Sequence, residues 1–130
     1  MRGKKVKEWE LKLKSVFDDI DAELEKRYGG KYRLRPRRPK AGKTTNPESS
    51  GLFNIGAVFT PGYGSKYGRG YIVRIHMMTS THLPRKVHKK IQCEVVKLLK
   101  AQLPVTFPDN KLEVKRDGNI FKIVGDLSLD

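Results

Sequence analysis

Apolar residues in the first thirty positions trace one helical stripe. Val6, Trp9, Leu13, Val16, Phe17, Ile20, Leu24 and Tyr28 recur at spacings of three and four, the period of a single helix face. Gly29–Gly30 follows and supplies the left-handed residue on which helices commonly end. The pattern predicts an amphipathic helix over residues 1–29. Asp18, Asp19, Asp21, Glu23 and Glu25 fall on its polar side, where carboxylates are ordinarily solvated and do no chemistry.

The period then disappears. Residues 30–51 read as a basic, irregular connection, with three prolines, two glycines and four Ser/Thr between Lys31 and Gly51, the composition of chain that cannot settle into helix or strand. Alternation takes over in "LFNIGAVFT" and "YIVRIHMM". In the first, Phe53, Ile55, Ala57 and Phe59 share a face; in the second, Tyr71, Val73, Ile75 and Met77 do. Both read as strands, and the stretch "PGYGSKYGRG" between them becomes the tip of an antiparallel hairpin.

A second helix is announced by "STHLP", with Pro84 at a first-turn position. Its inward stripe is Val87, Ile91, Val95, Leu98 and Gln102, widened by Leu99 and Leu103. Pro104 is expected to stop it. Cys93, close to Ile91, Val95 and Val96, is expected to be buried as a small hydrophobe. In the last segment, "LEVKRDGNIFKIV" sets Asp117–Gly118 between two alternating runs, a strong short-range hairpin signal. A loop at Asp117–Gly118 makes Arg116 face Asn119, Val114 face Phe121, Leu112 face Ile123, and Glu113 face Lys122.

The element order is therefore α-β-β-α-β-β. The fold class is α+β, a four-stranded, mainly antiparallel sheet with two helices packed on one face. The covered face is assigned to Phe53, Ile55, Tyr71, Val73, Val114 and Phe121. Leu52, Val58, Ile72 and Ile120 are apolar as well, and if both faces are apolar a second layer or a subunit partner covers the other side. At 130 residues the chain suits a single domain, residues 1–130, that buries about two-thirds of its unfolded surface. It is divided into the helix 1–29, the basic segment 30–51 and a ββαββ body over 52–130. Cys93 is the single cysteine, which rules out an internal disulfide, and no zinc-ligand spacing exists. The charged start "MRGKKVKEWELK" lacks a signal-peptide core, and no run nears the ~18 apolar residues of a membrane span. These features lead to the expectation of a cytoplasmic protein with no membrane partner.

Charge changes the picture by where it lies. The net +14 belongs almost entirely to residues 31–102, which hold sixteen Lys/Arg against Glu48 and Glu94, while both flanks are near neutral. A concentrated positive field draws anionic partners. The candidate nucleic-acid contacts are Lys31, Arg33, Arg35, Arg37, Arg38, Lys40 and Lys43 in the irregular segment. Tyr63, Lys66, Tyr67 and Arg69 in the hairpin loop and Lys86, Lys89 and Lys90 on the second helix complete the set. Cations release counterions from phosphates, tyrosines can stack bases, and glycines permit close backbone approach.

Other chemistries are weaker. "AGKTT" resembles the end of a phosphate-binding loop, but the first-glycine position is Arg37 and no strand precedes it. His76, His82 and His88 are six residues apart, a spacing that does not converge on a metal, and no metal or cofactor is expected. Ser65 lacks a nucleophile elbow, and no catalytic residue is assigned. The leading expectation is a basic RNA- or nucleic-acid-binding protein with little sequence specificity. A protein-interaction or oligomeric module meeting an acidic protein partner is the first alternative. The second is a small enzyme or ligand-binding protein that uses loop 61–70 as a lid over Arg74 and His76, which share a strand face.

Overall fold

The computed structural model describes residues 4–40, 50–62, 68–118 and 120–125, with side chains from Lys7 onward. The first helix, α1, spans Lys4–Tyr28, and strands β1 (Phe53–Thr60) and β2 (Gly70–Met77) follow. Helix α2 spans Arg85–Thr106, and β3 (Leu112–Asp117) and β4 (Ile120–Gly125) close the fold. The sheet is antiparallel in the order β1-β2-β4-β3. Helix α1 lies on β1 and α2 on β3, and the helices touch each other. Their apolar stripes and one face of the sheet form a single core around Phe17, Leu24, Phe53, Val95, Leu99 and Ile123. No helix among the described residues is long and apolar enough to cross a membrane.

The expected covered face is the observed one. Phe53, Ile55, Tyr71 and Val73 are buried against the helices, while Val114 and Phe121 are half-buried at the β3–β4 side. The opposite face is mixed and only partly exposed, with Lys122 and Val124 buried on it. Arg74 and His76 are exposed there beside the singly exposed Val58 and Ile120. Alternation of this kind lets an antiparallel sheet stand wet on one side.

Four local expectations are corrected. In the last hairpin, Asp117 pairs with Ile120, so Val114 faces Ile123, Leu112 faces Gly125, Glu113 faces Val124 and Arg116 faces Phe121. The slip is two residues, which preserves the faces. It sets the fully buried Ile123 opposite both Val114 and Tyr71. Lys122 then loses Glu113 as its opposite number and is itself 1% exposed, with its ammonium donating to the Gly68 carbonyl at 2.7 Å. Secondly, Pro104 lies inside α2. Only the last turn is affected, and that turn is held by the Phe107 N–H on the Leu103 carbonyl (2.8 Å) and by Phe107 stacked 4.8 Å from Trp9.

The third correction concerns Cys93, which is exposed. The buried stripe of α2 is Ile91, Val95, Leu99 and Leu103; Cys93 stands two residues past Ile91, about 200° around the helix. Finally, two acids assigned to the wet face of α1 are not there. Asp21 is buried, and the half-buried Glu25 accepts the Leu52 N–H with both oxygens at 3.0 Å.

Tyr28 joins the helices. It meets Phe53 edge-on at 6.1 Å, and its hydroxyl donates to Glu94 Oε2 at 2.6 Å. Burial, then the hydrogen bond to Glu94, push the phenol up to about 12. The folded pKa exceeds the unfolded value near 10, so this bond's stabilisation is complete below about pH 10 and is lost as pH rises through about 12. An absorbance titration of the phenols will find a late tyrosine transition that Tyr28→Phe removes. A Tyr28→Phe protein with every tyrosine transition unchanged contradicts the assignment.

Candidate nucleic-acid interface

The basic segment is stitched to the end of the sheet. The Arg35 N–H bonds the Met78 carbonyl (3.0 Å) and the Ser80 N–H bonds the Arg33 carbonyl (3.1 Å), forming a bridge between Leu34 and Thr79. The Thr79 hydroxyl also donates to the Arg33 carbonyl. A turn then runs through Pro36 and Arg37, closed by the Arg38 N–H on the Arg35 carbonyl at 3.1 Å. Its third position needs φ > 0 and normally takes glycine. Here Arg37 occupies it at φ 68, at a cost of about 1 kcal/mol relative to glycine.

With the backbone fixed in this way, the side chains sort into two groups. Lys31, Arg33, Arg35, Arg37 and Lys40 are exposed. Arg38 turns inward, donating Nε to the Gly51 carbonyl (3.0 Å) and Nη2 to those of Ser50 (3.0 Å) and Phe53 (3.1 Å). Its fork is spent holding residues 50–53, so among the arm's described cations it is the one built into the fold. Lys31 sets its ammonium 5.4 Å from the centre of the Tyr28 ring, a seat that leaves the residue exposed.

Topology decides which of the sequence candidates meet. Strand β2 ends at Met77 opposite the start of β1 at Phe53. The antiparallel pairing brings the β3–β4 turn, with Gly118 at φ 65, to this same end. From there the chain passes through residues 78–84 into α2. The arm 31–40, the start of α2 with Lys86, Lys89 and Lys90, and Arg116 beside the hairpin turn are thus gathered at one end of the sheet. Neither 31–40 nor 78–93 contains an acidic residue. On α2, Lys89 lies on the flank facing β3, while Lys86 and Lys90 point outward. None of these exposed cations is in an ion pair among the described residues.

The strand ends that flank the hairpin loop lie at the other end of the sheet. Arg69 is exposed just before the start of β2, eight steps along the chain or about 26 Å from Met77. There the core is closed by Trp9 stacked on Tyr71 at 5.1 Å, with the Tyr71 hydroxyl donating to Glu10 at 2.9 Å. Tyr63, Lys66 and Tyr67, like Lys43, lie outside the described residues. Of the pair considered under a lid, His76 pairs with Asn54 near the basic end and Arg74 with Gly56 further along the strand, and residues 63–67 of the lid lie outside the described residues.

A cleft that the sequence did not suggest opens between α2 and the last hairpin. Arg85, His88, Lys89 and Gln92 line it from one helix flank, and Arg116 and Phe121 from the strands, around about 270 Å³. Helical spacing makes the first four legible as one face, but their facing Arg116 depended on the hairpin register.

A family model described as "Uncharacterised protein" matches residues 4–125. The chain belongs to this family. A relative from Borreliella burgdorferi (strain ATCC 35210 / DSM 4680 / CIP 102532 / B31), described as "Uncharacterized protein", is 35% identical over 125 residues, covering 96% of this chain and 98% of its own. No solved structure matches. The family match runs across the arm, both helices and both hairpins, so the basic end lies within the family domain.

Proposed function

We propose that the protein binds nucleic acid, RNA foremost, by its basic end and with little sequence specificity, and that it does so in the cytoplasm. The observation carrying this reading is the convergence of Lys31, Arg33, Arg35, Arg37, Lys40, Lys86, Lys89 and Lys90 from separate elements onto one end of the sheet, exposed and without ion pairs among the described residues. Cations so placed repel one another, and a phosphate backbone relieves that repulsion while releasing counterions. The arm's hydrogen bonds add pre-organisation, since less ordering entropy is spent when the ligand arrives. Arg37 is held in a strained conformation with its side chain outward, an arrangement that serves contact better than folding.

Fluorescence anisotropy of a labelled single-stranded RNA across salt concentration tests the reading. Log Kobs will fall linearly with log salt, at about 0.7 per phosphate contact. Arg37→Gly will leave the fold intact, because it relieves the positive φ, and will lower that slope by about 0.7. Binding that is absent at low salt, or that does not depend on salt, overturns the proposal. Equal affinity for DNA of the same sequence removes the preference for RNA. The oligomeric alternative predicts a dimer or larger species at micromolar concentration, which gel filtration measures directly.

A further inference from the structure

The geometry points to a nucleoside-phosphate site in the cleft between α2 and the β3–β4 hairpin. Its occupant is one nucleotide, either free or as the phosphorylated end of an RNA strand. Arg85, Lys89 and Arg116 bring three positive charges to a volume of about 270 Å³ that no carboxylate lines among the described residues. Among the described residues none of the three is in an ion pair. A cleft that is this small and positively charged is stabilised by one anion with several negative oxygens.

The groups are arranged for phosphate at one side. Arg116 donates Nε to the Gly118 carbonyl at 3.0 Å, which fixes the guanidinium to the hairpin turn. Its two terminal nitrogens have no partner among the described residues. They form the fork that binds phosphate bidentately. Lys89, one turn beyond Arg85 on the same flank, adds a point charge, and His88 a ring N–H donor.

Phe121 and Gln92 suit a base. Phe121 is half-buried, opposite Arg116 on one strand neighbour and Val73 on the other, so the core holds its ring while part of it lines the cleft. A held aromatic ring is a stacking surface that accepts any base. Gln92, also half-buried, carries both a donor and an acceptor on its amide, which can meet a base edge without selecting strongly among bases. The space is near the lower limit of the about 300–1,000 Å³ typical of small-molecule sites, and a duplex does not enter it.

The test titrates the full chain with adenosine 5′-monophosphate and, in parallel, inorganic phosphate, read by calorimetry and by amide chemical shifts. The nucleotide will bind at least about tenfold tighter than phosphate, the worth of one stacked base. Arg116→Gln and Phe121→Leu will each weaken it by about tenfold or more. If Arg116→Gln disturbs the hairpin, Lys89→Gln and Phe121→Leu decide. Arg33→Ser with Arg35→Ser will leave nucleotide binding unchanged, so loss of RNA affinity by that arm variant and loss of this site are separate results. Equal binding of phosphate and nucleotide overturns the proposal, as does full affinity in the cleft variants. Displacement of the nucleotide by a 5′-phosphorylated oligoribonucleotide more readily than by its 5′-hydroxyl form identifies an RNA end as the occupant; displacement by neither identifies the free nucleotide.

Discussion

Replacing Arg38 with Met will cost about 3 kcal/mol of stability, because one charged fork satisfies three main-chain carbonyls in a buried stretch. The acceptors belong to Ser50, Gly51 and Phe53, all buried. Charge-assisted bonds contribute about 1.5–3 kcal/mol each in isolation, and three from one group are not additive. Met keeps the aliphatic stem's packing, so the loss isolates the hydrogen bonds. Urea unfolding will show a lower midpoint with an unchanged m-value. The salt slope of RNA binding will stay at the wild-type value, since this guanidinium faces the fold and not the ligand. A midpoint near wild type with a reduced slope means that Arg38 belongs with the exposed cations.

A second large loss is expected from Gly62→Ala at the neck of the β1–β2 hairpin. Gly62 has φ 78, and a Cβ there falls 1.9 Å from the Gly68 carbonyl oxygen. The obstacle is main chain, so no rotamer change relieves it. The left-handed conformation adds about 1 kcal/mol for any residue with a Cβ. Opening the neck also withdraws Gly68 from the Lys122 ammonium and leaves that buried cation short of an acceptor, at a further cost of about 1–3 kcal/mol. A total loss above about 3 kcal/mol is expected by thermal or urea unfolding. Gly68→Ala is the control: it shares the positive φ, but nothing lies within 4 Å of its added Cβ, so it should cost about 1 kcal/mol. Equal losses from the two variants contradict the crowded neck.

These two residues also mark how far the sequence could be read. Helix α1, both strands of the first hairpin and the covered sheet face follow from periodicity, because burial of one face imposes it. Register does not. Alternation distinguishes a slip of one residue but not of two, and the fully buried Ile123 took the place opposite Tyr71 and Val114. Long-range capture of polar groups is equally hidden. Glu25 holding Leu52 and Arg38 holding residues 50–53 are contacts across 27 and 12 to 15 positions, and in sequence both look like ordinary surface charges. Pro104 was read by its intrinsic cost, which the docking of Phe107 on Trp9 outweighs.

The candidate site was legible in part for the same reason. The charge of residues 31–43 is plain, and so is the lysine face of α2. Their meeting is a consequence of topology, as is the separation of Arg69 from them. Helical spacing marks His88 and Gln92 as sharing a face but not as a site, and Arg116 and Phe121 read as an ordinary hairpin residue and a half-buried strand residue. They become a set only when the β3–β4 turn is brought to the start of α2.

Ultraviolet crosslinking of bound single-stranded RNA, with the attached peptides mapped by mass spectrometry, tests the basic-end assignment most directly. Crosslinks are expected on peptides covering 31–40, 85–92 and 116–121, lost together above about 0.5 M salt as phosphate contacts are screened. Crosslinks confined to residues 7–18 of α1 or to the 61–70 loop, with the basic end unmarked, would contradict the account.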